Sequence, residues 1–211
     1  MRINGFIGGV LFLVFVVSAV ASSGQEEDSL TLPREIRLNE RQPPDTVLKT
    51  IGIKPGMIIG EVGAGRGRYT VQIASRIGPT GMLYANDIDE QALHFLKSRC
   101  NKHGFENVKT ILGSVTKTNL PDTALDMVIM VNVVHCLEKP VELLKNIESS
   151  LKPEGFIVIV EGNLDKTPSA AGEWYARSKL LKIYDDAGYV LFREETFLPK
   201  DNIYFLKKDR Q

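Results

Sequence analysis

The hydrophobic pattern along this chain alternates between two kinds of stretch. Short runs rich in Val, Ile, Leu and Met begin at Met57 and recur at 82–86, 108–112, 127–131 and 156–160. The run at 127–131 has no polar face at all, which is the mark of a strand covered on both sides. Between the runs, apolar residues return every third or fourth position: Val47, Leu48 and Ile51; Tyr69, Ile73, Ala74 and Ile77; Leu93, Leu96 and Cys100; Val141, Leu144, Ile147 and Leu151. These spacings predict four helices, each with one buried stripe.

The punctuation agrees with the periodicity. Asp45 is placed to cap the first helix and Asp89 the third, residues 52–56 turn the chain into the first strand, and residues 78–81 close the second helix. Gly104 ends the third, and Pro140 opens the fourth, which residues 152–155 stop. A last helix from Trp174 to Ala187, stopped by Gly188, precedes strands at 189–197 and 203–207, whose short link implies a hairpin. Strands and helices alternating through most of the chain predict an α/β domain on a mostly parallel sheet, with helices on both faces.

The N-terminal part reads differently. Arg2 precedes an almost wholly apolar stretch at 6–17, Ala19, Val20 and Ala21 form a small-residue cleavage pattern, and residues 22–28 are polar and acidic. The expectation is a signal peptide over 1–21, or an N-terminal membrane anchor if it stays uncleaved, with the remainder outside the cytoplasm. Residues 22–44, with Pro33, Pro43 and Pro44, read as a linker and lead-in, leaving 45–211 as the domain.

Composition narrows the partners. At 211 residues and 43% hydrophobic, the chain suffices for one full core and not for two domains of ordinary size. Lys+Arg and Asp+Glu both number 26, and no basic tract with interleaved aromatics occurs, so nucleic acid is disfavoured as a partner. No metal site is expected. Cys100 and Cys136 fall on elements too far apart for a disulfide and are expected to be small buried hydrophobes.

The candidate chemistry centres on the turn after the first strand. Glu61 stands at that strand's end, followed by Gly63, Gly65 and Gly67 at alternate positions, which permit positive φ and let a ligand lie on bare backbone. A dinucleotide fingerprint, G-x-G-x-x-G, would need glycine at Arg68 or Thr70, and neither is glycine. A carboxylate at Glu61 suits an ammonium or sulfonium and repels a pyrophosphate. Asp87 ends the second strand twenty-two positions beyond Gly65, where an acid can accept both ribose hydroxyls of an adenosine-containing ligand.

This E-x-G-x-G-x-G pattern resembles motif I of the class I S-adenosylmethionine (SAM)-dependent methyltransferases. The Leu-Lys-Pro-Glu-Gly signature at 151–155 before the fifth strand, and the final antiparallel strand, resemble the same family over about residues 45–208. The resemblance, nearest to the ubiquinone/menaquinone-biosynthesis branch, implies a Rossmann-like seven-stranded sheet, SAM as cofactor and a small-molecule methyl acceptor. It implies cofactor contacts at Glu61, Gly63, Ala64, Gly65, Gly67, Asp87, Ile88, Ser114, Val115 and Asn132, with Ser114 standing where an Asp is common in the family. Residues 39–42 lie where related enzymes keep a lid, and also read as a solvated charged turn.

Two residues are candidates for acid–base work. His135 follows the fourth strand, and Glu161 ends the fifth facing the same crevice. Either could serve as the base for a hydroxyl acceptor, whereas a carbanion or thiolate acceptor would need none. A histidine at an apolar strand end also reads as a packed residue. The rival functions are a non-catalytic ligand-binding relative, exported, and a nicotinamide-dependent oxidoreductase, which the glycine spacing opposes.

Overall fold

A computed structural model describes residues 30–209; the expectations for a signal or anchor at 1–21, and the first part of the linker, lie outside the described residues. The chain runs α1 (Ile36–Arg41), α2 (Pro44–Ile51), β1 (Ile58–Val62), α3 (Thr70–Ile77), β2 (Met82–Asp87), α4 (Glu90–Lys102), β3 (Val108–Leu112) and β4 (Leu125–Val131). It continues through α5 (Pro140–Ile147), β5 (Leu151–Gly162), α6 (Arg177–Asp186), β6 (Tyr189–Glu195) and β7 (Asp201–Lys208). The seven strands form one sheet in the order β3-β2-β1-β4-β5-β7-β6. Strands β1 to β5 pair in parallel, and β7 runs antiparallel to both β5 and β6.

Alternation along the central strands divides the core between two faces. Val62, Val128, Met130, Ile157 and Ile159 point to α5 and α6, whose Leu144, Ile147, Leu180 and Tyr184 cover them. Ile59, Met127, Ile129, Val158 and Val160 point the other way, against Val47, Leu48 and Ile51 of α2, Ile73 and Ile77 of α3, and Tyr69 just before α3. Burial on both faces is why 127–131 carries no polar position. Chain order reverses between β1 and β4, whose connections leave to opposite sides, so a crevice opens there beyond the strands' carboxyl ends.

Several boundaries move from where periodicity puts them. Pro44 takes the first position of α2, so Asp45 lies inside the first turn instead of capping it. Helix α5 ends at Ile147 and a 3-10 turn follows, because Leu151 pairs with Leu125 and begins β5. Helix α6 starts at Arg177, not Trp174; Trp174 and Tyr175 instead make isolated bridges, and Trp174 lies flat against Gly162, where any Cβ would fall 2.5 Å from its ring. The last hairpin is as expected, with β6 stopping at Glu195.

Residues before the domain are docked on it. Glu35 and Arg99 form a two-point ion pair at 2.8 Å, both side chains almost wholly buried, and Arg99 also donates to the carbonyls of Arg66 and Leu30. Glu35→Ala should cost about 3–5 kcal/mol, since removing one partner strands a buried charge. Urea denaturation measures this directly; a loss under about 1 kcal/mol would mean that solvent reaches Arg99.

Candidate active site

The glycine turn is held from two sides. Gly63 and Ala64 donate to the carbonyl of Asn86 at the end of β2, at 2.9 and 3.0 Å, and Gly65 donates to Asp87 Oδ2 at 2.7 Å. All three glycines have positive φ, +75, +53 and +85°, but for different reasons. A Cβ on Gly63 would lie 2.4 Å from Val133, and one on Gly67 would lie 3.0 Å from Leu96, so these two glycines serve close packing. Only at Gly65 would a Cβ meet nothing within 4 Å. Gly67 is buried against α4, Ala64 is buried in the small cluster with Val71 and Leu96, and the open backbone is at Gly65.

Beside it lies a cleft of about 360 Å³ lined by Gly63, Asp87, Ile88, Ser114, Val115 and Asn132 among others. Six residues expected at a ligand thus come together on its wall, from the ends of β1, β2, β3 and β4. Asp87, on the cleft wall, spends one acceptor site on Gly65 N–H and one on Asp89 N–H, at 2.9 Å, leaving each carboxylate oxygen a free lone pair. Asp89 takes the capping work, accepting from Gln91 and Ala92.

Glu61 sits behind the turn, buried, accepting the Thr70 hydroxyl at 2.6 Å. Burial pushes its carboxyl up to about 7, against the weaker opposing pull of the Thr70 hydrogen bond and the Arg68 charge. A raised acid means that the folded protein holds a proton that the unfolded chain has released, so stability is full below pH 4.5 and falls as pH rises through about 7. The expected loss is about 3 kcal/mol. Glu61→Gln should flatten that slope in urea melts taken from pH 4.5 to 8; parallel curves for the two proteins would show that Glu61 does not titrate there.

His135 and Glu161 form a pair. Glu161, fully buried at the end of β5, accepts Val134 N–H at 2.8 Å through Oε2 and Gly162 N–H at 3.1 Å through Oε1. His135 Nδ1 lies 2.6 Å from the same Oε1. The carboxylate therefore fixes the Nδ1–H form of the neutral ring and leaves the lone pair on Nε2. The Glu161 hydrogen bond raises the His135 pKa, partly opposed by burial. No part of Glu161 is exposed, and its oxygens already serve three donors, so His135 is the member of the pair that solvent reaches.

The lead-in residues reach this site, contrary to a solvated turn. Gln42 is fully buried, exchanging two amide hydrogen bonds with Asn132 at 2.9 Å each, donating to Asp201 and accepting from Arg68 Nη2 at 2.7 Å. Arg41 makes a bidentate pair with buried Asp201 and stacks on Trp174, while only Glu40 of this stretch stays fully in solvent. Asn132 is thus partly committed to Gln42, in a left-handed conformation at φ +56°. Arg68 and Thr70 enter the sequence reading only as non-glycine positions of the loop, and Gln42 only as part of the 39–42 stretch. The other misplacement is Cys136, which is exposed on the turn after β4 and lines the cleft, while Cys100 is buried, and both are free thiols.

A family model described as a methyltransferase domain matches residues 53–196. The chain belongs to this methyltransferase family. Its curated relatives include demethylmenaquinone methyltransferases, from Geobacillus stearothermophilus at 26% identity over 115 residues and from Staphylococcus aureus at 27% over 122. These alignments cover 54% and 58% of this chain, which spans about half the length of those relatives, 49% and 50%. Among solved structures, a SAM-dependent methyltransferase from Aquifex aeolicus superposes with a TM-score of 0.75 at 26% identity, covering 84% of this chain and 94% of that one. Geranyl diphosphate C-methyltransferase from Streptomyces coelicolor, solved with S-adenosylhomocysteine, shares the fold with a TM-score of 0.66 at 12% identity, over 87% and 88% of the two chains. The methyltransferase sheet, with its antiparallel β7, is therefore the class I SAM-dependent methyltransferase fold.

Proposed function

We propose that this chain transfers the methyl group of SAM to a small-molecule acceptor bearing an ionisable hydroxyl. The observation that carries the reading is the convergence at one crevice of an open Gly65 backbone, the Asp87 carboxylate, buried Glu61 and the His135–Glu161 pair. These residues fit the cofactor. The unobstructed side of Gly65 admits a ligand, Asp87 has lone pairs left for ribose hydroxyls, and Glu61 suits an ammonium. Arg68, whose guanidinium donates to the neutral side-chain oxygens of Asn39 and Gln42 and is pulled down by burial, would take the amino-acid carboxylate.

When bound, SAM supplies an electrophilic methyl on a sulfonium. Asp87, Gly65 and Arg68 orient it, and positioning of this kind supplies much of the acceleration in an in-line displacement. His135 Nε2 would accept the acceptor's hydroxyl proton as the acceptor takes the methyl group. Glu161 holds the ring in the needed tautomer and stabilises the imidazolium that results.

The relatives' names point to demethylmenaquinone-like acceptors, quinones whose two-electron reduced form carries such a hydroxyl. Incubation with methyl-labelled SAM and reduced naphthoquinones tests the reading: label is expected in the quinol, with one S-adenosylhomocysteine per methyl. SAM binding without transfer to any quinol or phenol would favour a binding protein instead. Asp87→Ala should weaken SAM about ten- to a hundredfold, or 1.5–3 kcal/mol for charged hydrogen bonds. Unchanged affinity in calorimetry would remove Asp87 from the site.

A further inference from the structure

Eight large hydrophobic side chains are exposed among the described residues, and seven of them lie at one end of the molecule. Ile88, 63% exposed, follows β2 and Val115 follows β3, both lining the cleft, and Leu112 ends β3 beside them. Ile36 and Leu38 stand on α1, Phe95 in the second turn of α4, and Phe197 in the link between β6 and β7. Because β1 to β5 run in parallel and β7 returns antiparallel, Ile88, Leu112, Val115, Phe197 and the start of α4 lie at the carboxyl ends of the parallel strands, where Arg41 and Gln42, just after Leu38, bond Asp201 and Asn132. Phe192 is the exception, and it packs edge-on against Phe156 and Phe205 at the sheet's far side.

Single exposed hydrophobics are ordinary, whereas a set spread along one end of the sheet marks a contact surface. Two further features say what covers it. Arg34 and Arg66 sit over the Phe95 ring at 5.0 and 5.2 Å, an interleaving of guanidinium and apolar groups suited to the boundary between lipid headgroups and acyl chains. The chain also leaves the described structure at this end: Leu30 packs on the cluster of Ala64, Leu96 and Cys100, and its carbonyl accepts from Arg99. The apolar stretch at 6–17 is only thirteen residues further back, at most about 45 Å of extended chain.

We propose that this rim is a membrane-contacting face, which sets the mouth of the cleft on the lipid surface. Apolar burial drives the contact in a chain of zero formal net charge, so it should survive salt. The proposal rests on the methyl-transfer reading only for why the cleft should face lipid, since a quinone-like acceptor resident in the bilayer could then enter without crossing water.

The test uses the full chain in phosphatidylcholine vesicles, with Cys136→Ser as background and a polarity-sensitive fluorophore on Leu112→Cys, Phe197→Cys or Phe192→Cys, each checked for an unchanged melting temperature. Labels at 112 and 197 should shift to the blue and be quenched several-fold more by brominated lipid than the label at 192, equally at 0.1 and 0.5 M salt. Equal quenching at all three sites would show a domain with no preferred face and overturn the proposal. So would shielding of the 112 and 197 labels without vesicles, together with a dimer in sedimentation, which would assign the rim to a second copy. None of these readouts depends on methyl transfer.

Discussion

His135→Ala is expected to lower kcat about a hundredfold or more toward a hydroxyl acceptor while SAM affinity stays within about twofold. The side chain is 17% exposed, and its removal leaves buried Glu161 with only the Val134 and Gly162 N–H donors, so some stability is lost as well. The pH profile makes the role distinct from packing. A general base works when neutral, and Glu161 raises the histidine's pKa, so kcat in the native protein should climb with pH through a midpoint above 6.5. Glu161→Gln removes the group that raises the pKa, and should shift the midpoint downward as well as slow turnover. A His135→Ala protein that keeps its rate and its ascending limb would leave no catalytic part for this pair.

Gly65→Val is expected to weaken SAM by a hundredfold or more and leave the fold in place. Nothing in the protein meets a Cβ there, so the substitution fills ligand space, at a strain of about 1–2 kcal/mol for a branched residue at φ +53°. Melting should drop by a few degrees. Gly104→Val is the matched control, at φ +68° with equally open surroundings away from the cleft. It should melt like Gly65→Val and bind SAM like the native protein. Gly63→Ala should do the reverse of Gly65→Val, losing stability first, because its Cβ collides with Val133. Equal effects of the Gly65 and Gly104 changes on SAM would place the cofactor elsewhere.

What the sequence discloses and what it hides follow a physical division. Runs such as 127–131 announce a central strand because burial on both faces removes every polar residue, and Glu61, Asp87 and the glycines are legible because a strand-to-helix turn is local. Trp174 was misplaced in a helix because its position fits a helical stripe, while what fixes it is the flat face of Gly162, twelve residues away in the chain. Gln42 reads as one more polar residue in a charged stretch; its burial depends on Asn132 and Asp201, ninety and 159 positions on. The same holds for His135 and Glu161. Each is visible alone, but only the parallel pairing of β4 with β5 brings Nδ1 to Oε1 and separates base from positioning group.

Calorimetric titration of the protein with SAM, S-adenosylhomocysteine and NAD in parallel tests the central claim most directly. One saturable site for each of the first two, and no binding of NAD, is the result that the Gly65, Asp87 and Glu61 geometry predicts. Absence of SAM binding in a folded protein, or NAD binding that competes with it, would contradict a SAM site at this crevice.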